Sequence, residues 1–308
     1  MTVGTVPASV FDADLPTLAY GAEETPAQVY PRLQAAQRQA PVALGPFGPE
    51  VLSYHLVRAV LRDPRFQIPP GINLLAQGVS SGPLWDKVTN SLLCLEGDEH
   101  HRLRSLASKA FTPRATLRLH DTMVDVMNGL VDQVAHAGRC DVVTDLARPY
   151  PVPIICALLG APREDWQRFS LWADDVFKAF SFTVDLAEIE PVVMRAWREL
   201  DDYVDDMVAR RRHNLTDDLL SDFIRAEDDG DRLNAAELRM LAGGLLLAGT
   251  DTTRNQVAAS VHVLCEHPEQ WELLGENPEL AMPAVEETMR HSPIACGTLR
   301  LEIGRAHV

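Results

Sequence analysis

The chain has 308 residues, 46% hydrophobic and 23% charged, the make-up of a folded globular protein and not of a disordered or collagen-like one. Forty-four acidic against 28 basic residues give a formal net charge of −16. That balance argues against nucleic acid as the main partner, because phosphate binding needs a basic field. Five cysteines (Cys94, Cys140, Cys156, Cys265, Cys296) are odd in number, scattered and free of CxxC spacing, which argues against a disulfide framework or a zinc site. The N-terminal residues show no basic region followed by an apolar stretch, so no signal peptide is read. The longest unbroken apolar run, 240–249, falls short of the ~20 residues a membrane helix needs. A cytoplasmic protein without a membrane span is expected.

In chain order, the first 50 residues are rich in Pro and Gly, with room for a helix over 26–39 and one or two strands. SYHLVRAVLRDPRF reads as a helix on the spacing of Leu56, Val57, Val60 and Leu61, stopped by Pro64. Residues 67–93 mix glycines and prolines with many apolar side chains and read as a long functional loop. From Glu99 onward the pattern is almost entirely helical, broken near Gly138, 149–153, Pro162, Asn214, 229–230, Pro268, Pro278 and Pro293. Asp201, Asp202, Asp205 and Asp206 followed by Arg210, Arg211 and Arg212 read as a solvated helix face. Asn234 and Glu237 read as a capping box opening the next helix. The fold class is therefore mainly α, with a small β region near the N-terminus.

Three segments carry chemistry. LAGGLLLAGTDTTRNQ (241–256) is an apolar helix that turns to Ala248, Gly249, Thr250, Asp251, Thr252 and Thr253, residue types that sit poorly in a helix interior. Either Gly249 ends one helix and Thr250 or Asp251 caps another, or one long helix continues with a local irregularity. In the second reading the small Ala248 and Gly249 admit a flat ligand and Thr252 faces the gap. EGDEHHRLRSLASKAFTPR (96–114) puts His100 and Arg104 at i, i+4 on one helix face, suited to carboxylates or phosphates, or simply to a basic surface. AVEETMRHSP holds Glu287 and Arg290 three apart, in isolation no more than a surface ion pair.

Together and in this order, from about residue 15 to residue 300, these segments resemble the bacterial cytochrome P-450 family, the haem-thiolate monooxygenases. The resemblance implies a cytochrome P-450 fold with haem b as cofactor. It implies that His100, Arg104 and Arg300 contact the haem propionates, that Ala248 and Gly249 flank an oxygen groove, and that Asp251 and Thr252 deliver protons during dioxygen activation. Glu287 and Arg290 would brace the core on the proximal side. Implied partners are O2, a small apolar substrate and an electron donor of the ferredoxin/ferredoxin reductase type, docking on Arg102, Arg104, Lys109, Arg114 and Arg118. Ile72, Leu74, Leu75 and Trp85, with residues 177–184, would face the substrate.

One departure stands out. The family's ligand cysteine lies in F-x-x-G-x-x-x-C-x-G beyond the E-x-x-R helix, and that pattern does not occur here; Cys296, in SPIACGTLR, follows Arg290 too closely. The reading is a C-terminally truncated P-450 domain over 1–301, inactive as it stands. Residues 302–308 (EIGRAHV) are read as a non-native tail, because their back-translation resembles a sequencing adapter. The rival reading is a non-enzymatic helical pseudoenzyme or binding module without haem. A peroxide-using enzyme on the same fold is a third, disfavoured by the acid–alcohol pair.

Overall fold

A computed structural model describes residues 9–21, 24–46, 48–108, 111–181, 184–228 and 233–303. Contacts divide the chain, read from sequence as one domain, into two units: residues 1–68 with 300–308, and residues 69–299.

In the first unit, Thr25 and Gln28 close a capping box and Pro26 takes the first turn of α1 (Pro26–Gln39). Strands β1 (Val42–Gly45) and β2 (Gly48–Val51) pair antiparallel, Val42 opposite Val51, and Gly48 supplies the positive φ their turn needs. Leu18, Ala36 and Ala43 form the small core beneath. Helix α2 (Tyr54–Val60) ends before Pro64. Strand β3 (Phe66–Gln67) pairs antiparallel with β4 (Leu301–Glu302), and the Ile303 N–H donates to the Arg65 carbonyl at 2.7 Å. Glu302 and Ile303, assigned from sequence to a tail, thus hydrogen-bond to this unit. Residues 304–308 lie outside the described residues.

The second unit begins where a long loop is expected, and there the structure differs. Two short helices, α3 (Ile72–Leu75) and α4 (Pro83–Thr89), occupy the stretch. Four and seven residues are too few to show a period, and left-handed Gly71 and Pro83 do the shaping. The six-membered ring of Trp85 lies where a Cβ on Gly71 would point, at 2.8 Å.

Helices α5 (Gly97–Ser108), α6 (Pro113–Arg118) and α7 (His120–Ala135) follow. A π-helical turn, Val142–Ala147, leads into α8 (Pro151–Leu159). Then come α9 (Trp166–Phe177), α10 (Leu186–Arg212), α11 (Leu219–Asp228), α12 (Ala235–Glu266), α13 (Pro268–Glu276) and α14 (Ala281–His291). The core lies where α8, α9 and α10 pack on α12, around Leu159, Phe169, Leu200, Leu241 and Leu246. Burying each such side chain stabilises by roughly 1.5–3 kcal/mol. Phe169, Trp172 and Tyr203 meet edge to face with centroids 5.1–5.7 Å apart.

Residues 142–159 are long and apolar enough to cross a membrane by composition alone, a stretch the sequence reading passed over. Here Ala147, Val152, Ile154 and Leu159 build the core instead. The acidic run on α10 is also more than a solvated face. Asp201 pairs with Lys87 of α4, and Asp205 takes two hydrogen bonds from Arg239 of α12, at 2.7 and 2.6 Å.

Candidate active site

The 32-residue α12 settles the alternatives left open for AGTDTT. No helix ends at Gly249; the backbone stays helical from Ala235 to Glu266. The threonines are tolerated because their hydroxyls turn back onto their own helix. Thr250 Oγ1 donates to the Leu246 carbonyl at 2.7 Å and Thr252 Oγ1 to the Ala248 carbonyl at 3.0 Å. The Asn234–Glu237 capping box starts the helix as the sequence predicts.

Three small residues, Gly244, Ala248 and Thr252, stand at i, i+4 and i+8 and are exposed. A Cβ added at Gly244 would meet nothing within 4 Å. The stripe therefore presents a flat, open strip of backbone. Gly249 does not belong to it. A Cβ there would fall 2.3 Å from the Ile155 side chain, so this glycine lets α8 close on α12.

Asp251 sits beside Thr252 in sequence but turns to Arg254, whose Nη2 donates to Asp251 Oδ1 at 2.7 Å. The same Nη2 donates to Asp174 Oδ1 of α9 at 2.6 Å, and Arg148 Nη2 donates to the other Asp174 oxygen. Sequence reasoning missed Arg254, Asp174 and Arg148. The only local signal was the i, i+3 spacing of Asp251 and Arg254.

His100 is half-buried and Arg104 exposed on α5, and among the described residues no ion pair or hydrogen bond ties either side chain to α12. Their neighbour Arg102 is the one that reaches α12, donating to both carboxylate oxygens of Glu237. This pairing, the largest influence, holds the Glu237 carboxyl below its ordinary value, with the Asn234 N–H adding to it. Arg102 is thereby occupied. Arg118 pairs with Asp217 at 2.9 Å. Lys109 and the side chain of Arg114 lie outside the described residues. Arg300 belongs to the first unit.

Glu287 and Arg290 form a two-fold pair, Nε to Oε2 at 2.7 Å and Nη2 to Oε1 at 2.6 Å, with both side chains more than half exposed. Within these 308 residues the two side chains pair with each other at the surface. Of the residues expected to face a substrate, Leu74 is fully buried core while Ile72 and Leu75 are exposed. Trp85 packs against the core. The two apolar stretches do meet: buried Asn73 donates through Nδ2 to the Ala179 carbonyl.

The cytochrome P450 family pattern matches residues 86–292, two thirds of the chain. The chain belongs to the cytochrome P450 family. It is 38% identical over 257 residues to the mycinamicin IV hydroxylase/epoxidase of Micromonospora griseorubida, covering 82% of this chain and 62% of that protein. It is 37% identical over 278 residues to the nocardicin C N-oxygenase of Nocardia uniformis subsp. tsuyamanensis, covering 87% and 66%. The crystal structure of CalO2 superposes with a TM-score of 0.79 at 32% identity, covering 86% of this chain and 66% of that one. The chain thus spans a little under two thirds of the length of these relatives.

The family's cofactor is haem b. The open strip Gly244–Ala248–Thr252 fits one flat face of such a macrocycle, since no side chain larger than threonine stands on it. The thiolate side is different. Cys156 is fully buried and its thiol is pushed up to about 12, chiefly by burial, so it stays protonated. Cys296 is exposed, its Sγ directed to the Pro293 carbonyl at 3.8 Å, and none of the five cysteines carries the family's flanking glycines. No axial ligand is assigned within these 308 residues.

Proposed function

We propose that this chain forms the distal half of a haem-dependent monooxygenase, which inserts one atom of O2 into a small apolar organic substrate. The haem, when bound, supplies the oxygen-activating chemistry, which thiolate ligation favours. This chain's residues orient the substrate, exclude water and handle protons. The carrying observation is an uninterrupted α12 on which an open small-residue strip ends at Thr252, the residue that follows Asp251. A hydroxyl beside a carboxylate can hold and pass the proton that oxygen activation consumes.

Ile72, Leu75, Phe177 and Phe180 give the substrate side an apolar character. Two relatives whose names state hydroxylation, epoxidation and N-oxygenation support oxygen insertion. Electrons come from a ferredoxin-type donor, acidic enough to meet Arg104 and Arg118 on α5 and α6, with an association rate that falls as salt rises. His100 and Arg104 are proposed to bind the propionates through charge-assisted hydrogen bonds. The site of action is the cytoplasm.

In the haem-loaded enzyme, Thr252→Ala should keep folding and haem binding yet divert electrons from product to peroxide. Asp251→Asn should slow turnover more than it uncouples it. Unchanged coupling of product to reductant in Thr252→Ala would remove Thr252 from the proton path.

A further inference from the structure

The clamp around Asp251 matches no motif in the sequence, and its geometry is unusual for an i, i+3 pair. A surface pair of that spacing sways in solvent and contributes little. Arg254, by contrast, is 14% exposed, and one nitrogen serves two carboxylates on two helices, Asp251 on α12 and Asp174 on α9. Asp174 is held from its other side by Arg148, which follows directly on the π-helical turn Val142–Ala147. The Asp251 carboxylate is therefore linked, through Arg254 and Asp174, to α9 and to Arg148. Arg254 Nη1 is meanwhile buried with no acceptor. The two carboxylates hold the guanidinium.

We infer that Arg254 is the positioning residue for Asp251, fixing its carboxylate at the turn that carries Thr252, with Asp174 and Arg148 as the anchor. This rests on the reading of Asp251 and Thr252 as the proton-handling pair. Arg254 acts through Asp251, to which it donates directly. A lysine ammonium at this position keeps a positive charge between the two carboxylates.

Two measurements test this. The first is an unfolding cycle on the 308-residue chain and needs no haem. No hydrogen bond joins Asp174 to Asp251, yet Asp174→Asn and Asp251→Asn should be non-additive, and the non-additivity should vanish in an Arg254→Gln background. Additive effects in the parent would overturn the clamp. The second measures turnover of the haem-loaded full-length enzyme. Arg254→Gln should slow it on the order of tenfold, and Arg254→Lys should restore it to within about twofold of the parent. The double variant Arg254→Gln/Asp251→Asn should be no slower than Asp251→Asn alone. If the double variant is slower than Asp251→Asn by the full factor of Arg254→Gln, Arg254 acts independently and the inference fails while the proton reading stands. If Asp251→Asn itself leaves turnover unchanged, the proton reading fails and takes the inference with it.

Discussion

Thr250 and Thr252 make the same hydrogen bond to the same kind of acceptor, a carbonyl one turn back, and differ only in what surrounds them. Thr250 is fully buried and Thr252 is exposed. Valine keeps the shape of threonine and removes the hydroxyl. Thr250→Val should cost about 1 kcal/mol in urea unfolding, the usual net worth of one intramolecular hydrogen bond, and leave peroxide leakage in the haem-loaded enzyme at the parent level. Thr252→Val should stay within about 0.5 kcal/mol of the parent, as exposed substitutions do, and raise peroxide. Equal leakage from both would show that α12 responds to any lost hydroxyl. Asp251 and Thr252 stand out in the sequence because polar residues interrupt an apolar run, and the family resemblance implies their role. Arg254 does not, because its decisive partner, Asp174, lies 80 positions away on another helix.

Helix ends show how far local rules reach. The box at Asn234–Glu237 stands where the sequence predicts it, since capping is a contact over three positions, and Thr25–Gln28 closes a second one by the same rule. The ties of Asp201 and Asp205 to α4 and α12 could not be read, because a charge run reveals its spacing and not its neighbours. Glycine is a sharper case. Gly138 and Gly160 both follow helices with φ near +60 to +75°, but a Cβ at Gly138 meets nothing within 4 Å. At Gly160 it would fall 2.0 Å from Asp218 Oδ2 and 2.6 Å from Arg211 Nη2, in a mostly buried ion pair. Gly138→Ala should lose only the left-handed backbone cost, about 1–2 kcal/mol. Gly160→Ala should lose about 3–5 kcal/mol by also prising that pair apart, read as the difference in denaturation midpoint. Glu237 gives the pH test. Its folded value lies below the ordinary 4.5, so its contribution is complete above that pH and is lost as pH falls through the folded value. Glu237→Gln should be less stable than the parent at pH 7, and the gap should close on acidification below pH 4.5. A gap that is constant with pH would assign the loss to the cap alone.

For the whole molecule, the apolar surface is unevenly distributed. Around α8 to α12 most large apolar side chains are buried, Leu171 and Leu215 excepted, whereas Trp271, Leu273, Met282, Val285, Met289 and Ile294 all expose more than a third of their area within one short stretch of chain. Single exposed apolar residues are ordinary on any protein. Met282, Val285 and Met289 are not scattered: at i, i+3 and i+7 they form one outward stripe of α14. The opposite side of that helix is tied down by buried Thr288, which accepts from Ser260 Oγ of α12 at 2.9 Å. The helix is thus fixed with its apolar stripe outward, and such a patch promotes self-association. The 308-residue chain should bind a hydrophobic dye in its folded state and scatter light increasingly with concentration. Replacing Met282, Val285 and Met289 together by glutamate, lysine and glutamate should suppress both signals while leaving the unfolding midpoint nearly unchanged, because these side chains contribute little to the core. If instead the triple variant unfolds much more readily, the stripe packs against the chain in solution, and the orientation of α14 described above is wrong.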